Sequence, residues 1–547
     1  VTALAADSNL AAIDSTNLDV AAQIAAGTAV DLTNNNFMAA VDTYSLVPST
    51  GGTATQLTLS AVQTSQLVGD TWHPKTINGT GNLTVVGVDQ NTDLSDVDTS
   101  SLQVTARVSG TANLASNSHL ASVDAYDWQN STAETLTLSA DQISGRTVQG
   151  TGTLEVVGLK TGTDLSQVQM TDIAGLVGHI TSASNLSEGV FDITSAPAGL
   201  ANVTAYAIDD AYTLKLTSAE ASALTVSQGA GSGGKVLVTA LDSDANLSGI
   251  AAGLDVTAQV SGTVNITTNP TTGGITAVVD TFDVANIGTL TLTATQANAH
   301  VITGSGAVTV IGLEATTNLA SLATTLHVTA KVSSSQGITS NDNLLGYVDK
   351  YELDVTTASP TLTMSAAQAD GVEIVGNGAL VVEGLQRTTS LENVDGTSIA
   401  VTAKITEGEL IDISGSSKLA AVDTYLLSGS DSATGLTLTA AQVDSSTHLV
   451  EVKGVGALTI KSLSGTSNLS GVDATSDLVV TALVASGVVI TENSNVGAVD
   501  IFELQSNAAS LTLTAAQATH VADILGLIKG SAGSVTVTDR KSTRLNS

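Results

Sequence analysis

Cysteine is missing from all 547 residues, which excludes disulfides, thiolate metal sites and cysteine nucleophiles. Aromatic residues are nearly missing too, at 2%, with two tryptophans, Trp72 and Trp128, so a core has to be filled by Val, Leu, Ile and Ala. Charge is scarce and of one sign. Only 12% of residues are charged, and 51 acidic residues stand against 17 basic ones, for a net charge of −34. Such a surface repels phosphate backbones, which excludes nucleic acid as a partner, and attracts divalent cations. The acid is spread over strand ends instead of being gathered in a tail, so it is not a disordered acidic segment. No apolar run approaches the ~18–20 residues that a membrane helix needs, and no signal peptide is visible. Helical periodicity is almost absent, and the best candidate is one turn at AAQA.

What the chain does have is repetition. LTLS at Leu57, LTLS at Leu136, LKLT at Leu214, LTLT at Leu290, LTMS at Leu362, LTLT at Leu436 and LTLT at Leu511 stand 79, 78, 76, 72, 74 and 75 residues apart. A small-residue turn follows, ending in Gln63, Gln142, Gln296, Gln368, Gln442 or Gln517, with Glu220 in the third copy. Gly-x-Gly and another alternating run come next, as in GTGTLEVVGL from Gly150 and GSGAVTVIGL from Gly304. An Asn-Leu or Ser-Leu stretch then leads to a strand like LQVTARV, and the unit closes on Val-Asp-x-aromatic. The repeat units run 1–91, 92–162, 163–244 (the divergent one), 245–316, 317–388, 389–466 and 467–539.

Runs such as LTLT and LTVVGV alternate apolar residues with Thr or Ser at period 2, the signature of half-buried strands. Each unit therefore carries at least four strands, and Gly-x-Gly supplies a turn whose backbone L-residues resist. The expected fold is all-β: a tandem-repeat β-solenoid-like rod, in which small aliphatics close over one another and each repeat buries its apolar face on its neighbours. The alternative is a string of small β-sandwich domains. About eight to thirteen residues separate the Val-Asp-x-aromatic strand from the next LTLT run, short enough for an antiparallel hairpin.

The recurrent carboxylates, Asp42, Asp124, Asp280, Asp349, Asp423 and Asp500, are the main candidate site; the third copy has Thr204 instead. Spaced at the repeat, they could form a ladder of Ca2+ sites with neighbouring Asn and Asp oxygens, or each could cap a turn by accepting backbone N–H bonds. The cap is the preferred reading, and Ca2+ is the only cofactor considered. The Asn-Leu dipeptides, for example Asn9-Leu10, Asn246-Leu247 and Asn318-Leu319, suit either a stacked-asparagine ladder or turns beside a core leucine. GAGSGGK, from Gly229 to Lys235, nearly spells a phosphate-binding loop, but Val236 stands where the magnesium-binding hydroxyl belongs, and the segment aligns with the glycine turn of other repeats. The histidines, His73, His119, His179, His300, His327, His448 and His520, fall at unrelated points of the repeat. A polysaccharide-cleaving β-helix would need clustered carboxylates and aromatic platforms, and no such cluster is visible. No catalytic residue is assigned.

LTLTAAQ followed by Gly-x-Gly-x-Leu-Thr-Val resembles the β-strand repeats of very large bacterial and archaeal cell-surface proteins, the S-layer and adhesin-like class. The resemblance covers the chain to Asp539 and implies an extracellular location, a structural or adhesive role and calcium dependence. The expected function is a non-enzymatic protein that self-associates into a layer, sheath or filament, or, alternatively, the stalk of a large adhesin. Its expected partners are further copies of itself and cell-surface polysaccharide. Both ends read as cuts. VTALAADSNL at Val1 opens in mid-motif, and RKSTRLNS (540–547) departs from the repeat and reads like translated sequencing-adapter text, which would make the natural array longer.

Overall fold

A computed structural model describes all residues except 16–17, 69–70, 129–133, 170–172, 196, 270–273, 342–344, 355–358, 430–432, 445–449, 492–493, 516, 519–526, 531 and 539–547. The atypical tail at 540–547 lies outside the described residues. The protein is an all-β solenoid of parallel stacked coils. It divides into two units: Val1–Gln259 with Asn269–Phe282, and Val260–Thr268 with Asp283–Ser547. Coils number about 21 over the two units, three to each of the seven repeats.

The second repeat shows how a coil is made. Leu102–Val108, Ala125–Trp128 and Thr147–Gly150 stack as one side, in the register Thr105, Ala125, Thr147. Ala112–Asn113, Thr135–Ser139 and Gly152–Val157 stack as a second side, in the register Asn113, Thr137, Glu155. The third side is made of turns: the 3-10 turn Ser118–Leu120 in one coil and the helical turn Ala140–Ile143 in the next. The alternation seen in the sequence is what closes this triangle. In Thr289–Thr293 the leucines are buried and the threonines half-exposed, because successive strand residues point to opposite faces. Each buried Leu contributes about 1.5–3 kcal/mol of apolar transfer, and one coil alone could not bury it.

The hairpin that would have made sandwich beads does not form. Ala205–Ile208 and Thr213–Thr217 lie in different sheets, because the short segment between them turns a corner of the coil. Among the described residues the one antiparallel pair is Ser65–Val68 with Thr71–Pro74, an insertion peculiar to the first repeat. The helical turn expected at AAQA is present as Ala366–Ala369.

Repeats join by a sideways step. After Gly152–Val157 the chain lays a single bridge, Val168 on Val148, with Gln169 donating its N–H to Val148 O at 2.9 Å. It then runs into Ile173–Ile180, which pairs with Gly152–Val157. The second side of one repeat thus continues as the first side of the next. The same single bridge recurs as Val97 on Ile77, Ile250 on Val226, Leu322 on Ile302, Val394 on Ile374 and Val472 on Val452.

The scarce aromatics are concentrated in the core. Tyr44, Tyr126, Tyr206, Phe282, Tyr351, Tyr425 and Phe502, each from the Val-Asp-x-aromatic phrase or its third-repeat counterpart, are at most 3% exposed. Seven of the thirteen aromatics therefore fill one recurrent position, where a large ring occupies the space between coils.

Candidate functional site: polar ladders between coils

The six recurrent aspartates make one identical bond pair. Each donates its backbone N–H to a carbonyl of the preceding coil and accepts that same residue's N–H on its carboxylate. For Asp124 the partner is Val104, whose N–H reaches Oδ2 at 2.7 Å while Asp124 N–H reaches Val104 O at 2.9 Å. Asp42 pairs in this way with Val20, Asp280 with Val256, Asp349 with Val328, Asp423 with Val401 and Asp500 with Val480, at carboxylate distances of 2.6–2.8 Å. Each carboxylate extends a strand ladder by one bond at a point where the entering chain cannot, which is the capping chemistry of Asp. In the third repeat Thr204 does the same work for Leu176. Its Oγ1 accepts the Leu176 N–H at 3.2 Å, and its own N–H donates to Leu176 O at 3.0 Å.

The glutamine that ends each LTLT phrase works in two directions. Gln142 Oε1 accepts the Ser139 N–H at 2.7 Å, and Ser139 Oγ accepts the Gln142 N–H, closing a capping box around the one-turn helix. Its Nε2 reaches into the preceding coil and donates to Leu114 O at 2.8 Å and Asn117 O at 2.7 Å. Asn117 continues downward, donating Nδ2 to Asp89 O and Thr92 O. Gln63 stitches to Leu32, Gln296 to Ile266, Gln368 to Ile338, Gln442 to Ile413 and Gln517 to Thr491 in the same manner. Amides suit this position because each carries an acceptor and two donors. Glu220 in the third repeat accepts the Thr217 N–H at 2.7 Å but has no N–H to send down.

Three asparagines of the Asn-Leu dipeptides close turns and do not stack as a ladder. Asn9, Asn246 and Asn318 each accept the backbone N–H two residues on, from Ala11, Ser248 and Ala320. Asp-x-Ser/Thr segments do the same. Asp31, Asp98, Asp164, Asp395 and Asp473 are held below the usual carboxylate range by hydrogen bonds from the backbone and hydroxyl two residues on. Asp412 is brought down to about 2, first by Lys461 and then by Ser414. Cations are spent on the rung opposite: Arg107 meets Asp127, Lys215 meets Asp192, Lys331 meets Glu352 and Lys350 meets Glu373, at 2.7–3.1 Å.

The phosphate-loop lookalike is already filled from within. Ala230 N–H donates to Asp209 at 2.7 Å, Gly233 N–H donates to Asp210, and Lys235 pairs with Asp255, so an incoming phosphate would face carboxylates. The histidines are not brought together. His119 lies 3.4 Å from Asp93 and His179 lies 3.9 Å from Glu155, while His300 is buried with Nδ1 2.5 Å from Gln296 O. His448 and His520 fall outside the described residues. Among the described residues no group of three or more His, Asp or Glu is placed to hold a metal ion, and no helix is long and apolar enough to cross a membrane.

Repeat alignment does not single out one buried cation. Lys75 is 3% exposed, donates Nζ to Met38 O at 3.1 Å and lies 5.8 Å from the centre of the Tyr44 ring. Burial brings its amine down to about 8, against the opposing pull of Asp42. Tyr44 Oη beside it is buried without a hydrogen-bond partner. The sequence signal was available: Lys75 immediately precedes a core-facing strand, Thr76–Gly79, at a position where the second repeat has Arg146, which donates to Leu120 O and Ala121 O, and repeats five and six have Val372 and Val450. In comparison with known proteins, the chain matches no protein-family description and no curated sequence.

Proposed function

We propose that this chain is a non-enzymatic structural protein of the cell exterior that associates with itself into a surface layer, sheath or filament. The observation that carries this reading is where the recurrent polar residues go. The recurrent Asp and Gln, with Asn9, Asn246 and Asn318, the groups that a repeated active or binding site would present outward, are consumed in joining one coil to the next or in closing its turns. Repetition then serves extent, because a stacked array gains length without new design.

The excess acid supports a role for divalent cations between copies. Arg107, Lys215, Lys331 and Lys350 face acids on the adjacent rung and acidic residues outnumber basic ones 51 to 17, so the remaining carboxylates dominate the surface field. Calcium bridging of neighbouring chains and contact with cell-surface polysaccharide belong to this reading. Electron microscopy of native material with and without a chelator tests it. A regular polymer that loosens when calcium is removed is the expected result. Isolated rods carrying terminal domains would favour the adhesin stalk, and cleavage of acidic polysaccharide by purified protein would overturn the non-enzymatic reading.

A further inference from the structure

The third repeat, 163–244, departs from its neighbours in several ways that act in one direction. Its ladder residue is the neutral Thr204, holding Leu176 N–H at 3.2 Å where Asp124 holds Val104 N–H at 2.7 Å. Its turn residue is Glu220, which caps Thr217 but cannot donate to the coil below. The carbonyl in the place of Leu114 is that of Ile193: Ile193 N–H bonds Lys215 O as Leu114 N–H bonds Thr137 O. The backbone adds an independent observation. Of six non-glycine residues with positive φ among the described residues, four lie here: Asn185, Glu188, Ala211 and Ala240, at +50° to +67°. That left-handed region is unfavourable for L-residues other than Asn, because Cβ crowds the carbonyl.

We propose that the third repeat is a built-in release point, the segment of the solenoid that opens first under heat, denaturant or pulling force while the second repeat stays folded. In a stacked array each repeat is held only by its own bonds and its neighbours', so a local deficit stays local. Two weakened links to the preceding coil and three strained left-handed residues, Glu188, Ala211 and Ala240, place the deficit between residues 188 and 240. The proposal does not depend on the surface-layer reading and would hold for a stalk as well.

Amide hydrogen exchange on the full chain, followed by mass spectrometry, reads it directly. Peptides covering Ala205–Ile208 and Thr213–Thr217 should exchange on the order of tenfold faster than those covering Ala125–Trp128 and Thr135–Ser139, the size expected for one missing net hydrogen bond. Glu220→Gln should restore the donor to Ile193 O and slow exchange in the third repeat, and Thr204→Asp should slow it further. Gln142→Glu should transfer the fast exchange to the second repeat. Equal exchange in the two repeats of the unaltered chain would overturn the proposal, as would a Glu220→Gln variant that leaves the third repeat unchanged.

Discussion

Replacing Asp124 separates the two readings of the recurrent carboxylate, because the chain already contains a natural variant in Thr204. Asp124→Ala removes the acceptor for Val104 N–H at 2.7 Å. The carboxylate is exposed, so water can partly take its place, and the loss should be that of a helix or turn cap, about 1–2 kcal/mol. Asp124→Asn keeps an acceptor oxygen and loses only the charge. Asp124→Thr reproduces a geometry the protein uses at Leu176, with a longer bond. Both should cost less than about 1 kcal/mol. Exchange of the amides in Leu102–Val108 provides the readout, since about 1.4 kcal/mol corresponds to a tenfold change in the opening equilibrium. The expected order of protection is Asp124 first, Asn and Thr close behind, and Ala last, unchanged by a chelator. If Asn and Thr fell as far as Ala, and calcium protected only the unaltered chain, the carboxylate would be serving a cation and the capping argument would fail.

Lys75 gives a pH test. Its folded value near 8 lies below the ordinary 10.5, so the cost of burying its charge is fully present below pH 8 and is relieved as the pH rises from 8 to 10.5. Lys75→Met should raise stability at neutral pH by about 2–3 kcal/mol and flatten urea midpoints measured across that window. A variant less stable than the parent at pH 7 would show that the Met38 bond and the Tyr44 ring outweigh the burial cost. Gly150→Ala should be among the most damaging single changes: φ is +145° and an added Cβ would overlap the Trp128 carbonyl, so about 3 kcal/mol or more should be lost in thermal or urea unfolding. Acid should loosen the turns in a defined range. Asp412, at about 2 when folded against 3.8 ordinarily, contributes stability above pH 3.8 that is lost as the pH falls toward 2. In Asp412→Asn the acid-unfolding curve should become shallower in that range.

The sequence made the strands legible because alternation is enforced by burial. Every second residue of Thr289–Thr293 has to enter the core, so the pattern cannot drift. It made the solenoid legible because aromatics are too few for separate sandwich cores. It could not distinguish a corner from a hairpin between Ala205–Ile208 and Thr213–Thr217, since both use a short connection and differ only in which strand lies opposite. The turn role of Asn246 was readable from its own neighbours, as the bond reaches only to Ser248. The double duty of Gln142 was not, because half of it lies about 28 residues back at Leu114. Recurrence drew attention to the aspartates, which repeat, and away from Lys75, whose position is held by Arg146 in the second repeat, His300 in the fourth and Val372 and Val450 in the fifth and sixth.

The single-bridge junction bears on how such an array can change by recombination. Within the second unit, deleting residues 317–388 would join equivalent points of successive repeats, so the new junction could re-form its aspartate and glutamine bonds. Each junction moves the strand sheets on by one side of a three-sided coil, however, so everything beyond the deletion would face a new direction. Gain or loss of repeats in threes would preserve which surface looks outward, whereas gain or loss of one would keep the fold and redirect its face.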